Sequence, residues 1–152
     1  MASPKPFVQI AAFCEMVLEQ KEPEGTVMTP VRIVDTYTVQ IPPDMPKDVL
    51  PAIAIHGLIA LKSGEVRGPH NIKLVMENPL GERKPVGPPD GWEAVFEGGA
   101  SGFNLRLEFP LGVKNYGLCW FDVFFDGELI TRMPLRLREH KPDQPSATDS
   151  PN

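Results

Sequence analysis

Three histidines, two cysteines and twenty carboxylates are the side chains with which this chain could hold a metal or move protons. Their spacing argues against both. His56, His70 and His140 stand singly, whereas zinc and other transition-metal sites draw several His, Cys or carboxylate ligands together, commonly at short spacings. His56 lies inside an apolar run and reads as a packed histidine; His70 follows Pro69 in a loop, and His140 belongs to a polar tail. Asp122, Asp126 and Glu128 raise the question of calcium, which needs several converging oxygens. About four strand residues, roughly 13 Å, separate Asp122 from Asp126, and Asp126 is accounted for by a turn. Ser63, Ser101 and Cys119 have no base at motif spacing, and no Gly-x-Ser-x-Gly elbow occurs. Gly98 to Gly102 leads into a strand instead of the helix start that a phosphate cradle needs. The expectation is a non-enzymatic protein with no metal and no cofactor.

Two groups of residues remain as candidates for recognition. Lys62, Glu65, Arg67 and His70 lie in KSGEVRGPH, a polar loop between two strands, and polar loops on rigid scaffolds are where binding commonly sits. Leu118, Trp120, Phe124 and Ile130, framed by Asp122, Arg132 and Arg136, form a patch of the aromatic and arginine composition found at the centres of protein interfaces.

That patch depends on how one hairpin folds. Tyr116 to Arg138, YGLCWFDVFFDGELITRMPLRLR, reads as two strands reversed at Asp126-Gly127, a strong hairpin signal. In the second strand Leu129, Thr131, Met133, Leu135 and Leu137 alternate with Glu128, Arg132, Arg136 and Arg138, so one face is core and one is wet. The first strand is apolar on both faces except at Asp122. A two-residue turn would pair Phe124 with Leu129 and put Trp120 beside Met133. A three-residue turn with Gly127 left-handed would pair Val123 with Leu129 and Phe121 with Thr131. The second is favoured, because it joins the apolar odd positions of both strands. A slip of one residue exchanges the faces. Leu118, Trp120, Phe124 and Ile130 then look away from the core, to be covered by other segments or by a partner.

The remaining chain reads as short strands. They are Phe7 to Cys14; Thr26 to Gln40, with a bulge or edge at Pro30; Ala52 to Leu61, apolar on both faces and therefore central; and Asn71 to Glu77. Trp92 to Glu97 and Phe103 to Leu111 follow, the last with Phe103, Leu105, Leu107, Phe109 and Leu111 inward. Glu19 to Gly25 reads as a charged loop, Ile41 to Pro51 as an irregular crossing with four prolines, and Lys84 to Gly91 as a proline-rich loop. Seven to nine short strands with almost no helix (Glu15 to Glu19 either continues the first strand or forms one helical turn) predict an antiparallel β-sandwich over residues 1–138, with a small barrel as the alternative. Residues 139–152 read as a disordered tail.

Composition supports this and narrows the partners. Hydrophobic content of 41% and charged content of 23% are ordinary for a globular chain, but eighteen prolines are more than twice the number expected at about 5% usage. Proline at that density forbids long helices. A net charge of -5 argues against nucleic acid or an anionic membrane as partner. The first residues lack a secretory pattern, and Cys14 and Cys119 lie in apolar contexts, so a cytoplasmic protein with reduced thiols is expected.

Phe13-Cys14-Glu15, Lys62 to Gly68, Trp120 to Val123, Asp126 to Leu129 and Thr131 to Leu135 together give a further lead. With these blocks the chain resembles a family of small bacterial proteins of unknown function. The resemblance implies a bacterial cytoplasmic protein and brings no activity and no catalytic residue. The function expected is contact with a protein partner or with further copies of the chain. The alternative is a small-ligand module, for instance for carbohydrate, with Trp92, Tyr116 or Tyr37 as stacking platforms.

Overall fold

Ten extended segments account for the architecture of the computed structural model, which describes residues 5–98 and 102–140. They are β1 (Phe7–Glu22), β2 (Gly25–Val34), β3 (Thr36–Val39), β4 (Ala52–Lys62), β5 (Gly68–Glu77), β6 (Arg83–Val86), β7 (Trp92–Phe96), β8 (Gly102–Gly112), β9 (Gly117–Phe125) and β10 (Glu128–Glu139). One sheet has the order β2-β1-β4-β8; the other runs β3-β10-β9-β5-β6, with β7 also paired to β5. The two apolar faces meet in one core, so the fold is a β-sandwich. Phe13 of the first sheet meets Phe121 of the second edge-on, with ring centroids 4.9 Å apart. Such a contact adds roughly 0.5–1.5 kcal/mol beyond the area buried.

The alternation read from the sequence sets this core. Ile72, Leu74 and Met76 of β5 point inward, as do Leu105, Leu107 and Leu111 of β8 and Met133, Leu135 and Leu137 of β10. β4 lies between β1 and β8, as its apolar character on both faces requires. Gly57 on β4 permits the close approach of β1: a Cβ there would stand 2.9 Å from the Ala12 carbonyl oxygen.

Several boundaries differ from expectation. There are ten strands because Thr26 to Gln40 divides at Asp35 and because Arg83–Val86 is a strand within what reads as a proline-rich segment. Pro85 is tolerated there because β6 is an edge. The division at Asp35 carries the chain from the edge of one sheet to the edge of the other, where β3 pairs with β10 in parallel, so the sandwich is not wholly antiparallel. β1 continues through the segment expected as a charged loop and turns at Pro23-Glu24 into β2. Pro30 does lie on an edge strand. β10 extends through Glu139, whose partner is Val39; the rest of the expected tail, 141–152, and part of the Gly98 to Gly102 link lie outside the described residues.

The hairpin combines parts of both registers considered. Asp126 (φ 48°) and Gly127 (φ 82°) are both left-handed and form a two-residue turn, so Phe124 pairs with Leu129. A bulge at Ile130 then shifts the ladder, and Thr131 pairs with Val123, Met133 with Phe121 and Leu135 with Cys119. Odd positions do face odd positions, but neither Val123 with Leu129 nor Phe121 with Thr131 is a pair. The extra residue, and not a longer turn, restores the apolar face.

Candidate functional site

Asp122 is the polar interruption in β9, and the outer face of the six-stranded sheet is arranged around it. It is 3% exposed. A carboxylate so enclosed requires compensation by charge and hydrogen bonds. Arg132, its cross-strand neighbour on β10, donates Nε to Oδ1 at 2.6 Å, and Arg83 of β6 donates Nη1 to Oδ2 at 3.0 Å. Glu77 of β5 completes the group, receiving Arg132 Nη2 at 3.3 Å and lying 3.5 Å from Arg83. Burial alone would raise the Asp122 pKa; the hydrogen bonds and charges of Arg132 and Arg83 outweigh it and hold the carboxyl below its usual range.

The same arginine reaches the central aromatic. Arg132 Cζ stands 4.6 Å from the ring centroid of Trp120, a cation–π contact. Along β9, Leu118, Trp120 and Phe124 point outward and are half-buried, with Pro134 and Glu77 opposite Trp120, Lys73 and Leu129 opposite Phe124, and exposed Arg136 opposite Leu118. The structure thus places Leu118, Trp120, Phe124 and Arg132 on one surface. Ile130 does not belong to it. As the bulge residue it packs against the core, and Leu129, expected inward, is 47% exposed. Arg83 and Glu77 escaped the sequence reading; the signal was a lone carboxylate inside an apolar strand, which implies cationic partners without naming them.

The loop candidate disperses. His70 is in β5 and pairs with Ala94 of β7, not in a loop. Its Nδ1 meets Asp126 Oδ2 at 2.5 Å, its Nε2 meets the Arg67 carbonyl at 2.8 Å, and its ring stacks on Phe125 at 5.2 Å. With a carboxylate on one nitrogen and a carbonyl on the other, both nitrogens are required as donors, which favours imidazolium. Asp126, and then the Arg67 carbonyl, raise the His70 pKa; the Asn71 amide, and then His70, lower that of Asp126. Neither ring nitrogen is left to accept a proton from a substrate, so this pair fastens the hairpin turn to β5. Lys62 lies beside Gly102, Arg67 beside Gly98, and Glu65 is exposed.

Trp92, Tyr116 and Tyr37 each pack against the core, and Tyr37 donates its hydroxyl to the Cys14 carbonyl at 3.0 Å. Cys14 and Cys119 are buried and free, and burial raises both thiol pKa values. Among the described residues no cluster of three potential metal ligands occurs, and no helix is long and apolar enough to cross a membrane.

These features define a β-sandwich with a charge-buttressed aromatic face. No family model and no curated protein matches the chain. Several solved structures resemble it, among them two Pseudomonas proteins. One is the Pseudomonas fluorescens alkylpurine DNA glycosylase AlkC bound to DNA containing an abasic site analog, at 14% identity and a TM-score of 0.47. That match covers 90% of this chain, and this chain spans 31% of the glycosylase chain. The other is an immunoglobulin-like protein from Pseudomonas aeruginosa, at 16% identity and a TM-score of 0.37, covering 91% of this chain and 100% of that one. Likenesses at these values carry no argument about activity.

Proposed function

We propose that the chain is a non-catalytic interaction module whose contact surface is the outer face of the six-stranded sheet, and that its partner there is a second copy of the chain. The observation that carries this is the pairing of two carboxylates, Asp122 and Glu77, with two guanidiniums, Arg132 and Arg83, around Trp120. The formal charge of that group cancels. In a two-fold contact a patch meets itself, so a face with strong net charge would repel its copy. This face does not. Trp120, Phe124, Leu118 and Pro134 then supply apolar area, and burial of a tryptophan with a stacked arginine is the usual core of a protein contact.

Light scattering on the full chain tests this. The expected mass is about twice the 16.8 kDa of one chain, falling to one chain in Trp120→Ala with the far-ultraviolet dichroism unchanged. A wild-type monomer at every concentration, unaltered by Trp120→Ala, would sink the proposal.

A further inference from the structure

A second surface feature lies apart from Trp120, at one end of the sandwich. A cavity of about 240 Å³ opens between the β5–β6 turn, the link from β8 to β9 and the end of β10. Its floor includes Met76 and Leu137, which are 6% and 2% exposed. Three cations, Arg83, Lys84 and Lys114, line it against one carboxylate, Glu82. Arg83 is already matched by Asp122 and Glu77, and Glu82 receives Asn78 Nδ2 at 3.1 Å. Lys84 and Lys114 have no ion-pair partner among the described residues. In a chain of net charge -5, two uncompensated ammonium groups at one small cavity are an imbalance that an anion would correct. Asn115 lines the same cavity, and its Nδ2 is a buried donor without an acceptor among the described residues. An unmet buried donor costs roughly 1–3 kcal/mol, and a turn of that amide would offer it to an acceptor in the cavity.

We infer that this cavity binds a small organic carboxylate, its charged end between Lys84 and Lys114 and its short apolar tail on Met76 and Leu137. The apolar floor argues against inorganic phosphate, whose oxygens would face carbon. The volume sets the size, for drug-sized ligands occupy roughly 300–1,000 Å³. The site shares Arg83 with the surface proposed above but includes neither Trp120 nor Arg132, and its test reads Met76 and the two lysines instead.

The test is titration of the full chain with butyrate, followed by methyl and amide NMR. Butyrate should shift the Met76 methyl in a saturable way. Butyramide, equal in shape but uncharged, should bind at least tenfold more weakly. Lys84→Gln/Lys114→Gln should lose butyrate affinity by tenfold or more, and Lys114→Gln alone serves if the double variant does not fold. Equal binding of butyramide overturns the proposal, as does the absence of a Met76 shift. A response to inorganic phosphate matching that to butyrate reduces the cavity to an adventitious ion site and also overturns it.

Discussion

The outer faces of the two sheets pose the same problem and resolve it differently. On the four-stranded sheet, Leu58 and Cys14 point away from the main core yet are 3% and 0% exposed. Val17 of β1 and Met28 of β2 pack with them in a second apolar cluster, and Glu19 of β1 lies 4.0 Å from Arg106 of β8. On the six-stranded sheet the corresponding aromatics, Trp120 and Phe124, stay half-buried, and what lies over Trp120 is its own neighbour Arg132. One face is closed by packing; the other carries an ion network that balances around Trp120. Apolar cover stabilises the fold, whereas an ion network over an aromatic keeps a surface presentable to water and ready to be covered by something else.

Substitutions should separate the two faces. Leu58→Ala, at the covered face, should cost about 2–5 kcal/mol of folding free energy by urea denaturation, because the cavity left has no water to fill it. A loss below about 1 kcal/mol would mean that the hairpin does not close this face. Asp122→Asn, at the open face, should cost less, about 1–3 kcal/mol, since the two arginines it strands are each about 40% exposed and rehydrate. That variant should also free the Arg132 side chain from Trp120, visible as a change in tryptophan fluorescence.

Smaller still is the pH term from His70. Its folded pKa is raised above the ordinary 6.5, so its stabilisation is complete below that value and is lost as pH rises through the folded pKa. Asp126 has the opposite sense: its contribution is present above the ordinary carboxylate value of 3.8 and disappears as pH falls through its lowered folded pKa. The advantage of wild type over His70→Asn should therefore shrink from pH 6 toward pH 9, and a flat difference would show that the ring is held neutral. At the bottom of the scale, Glu19→Gln should change stability by under about 1 kcal/mol, because its partner Arg106 is exposed and 4.0 Å distant; a larger loss would make the covered face electrostatic after all.

Much of this was legible in the sequence where one rule sufficed. Alternation alone set the inward residues of β5, β8 and β10, and an apolar run set β4 between two neighbours. The Asp126-Gly127 turn was legible too, but its register was not, since turn chemistry does not announce the bulge at Ile130 that follows. β6 was hidden because proline is a poor strand former everywhere except at an edge, and edges are assigned by the tertiary fold. Of the candidate patch, the residues on neighbouring hairpin strands could be read by periodicity. Arg83 could not, being 39 residues from Asp122 with no pattern linking them. The His70–Asp126 pair spans 56 residues and was invisible for the same reason.

The parallel pairing of β3 with β10 has a consequence for how the chain is made. Thr36 to Val39 find their partners in Arg136 to Glu139, and Arg136 also donates its amide to the Asp35 carbonyl. A nascent chain emerging from the ribosome must therefore carry Tyr37 unpaired until almost all of the described sequence has been synthesised. Closure of this sheet waits on β10, and a stop codon a few residues before Glu139 would release a product in which β3 has lost its ladder partners.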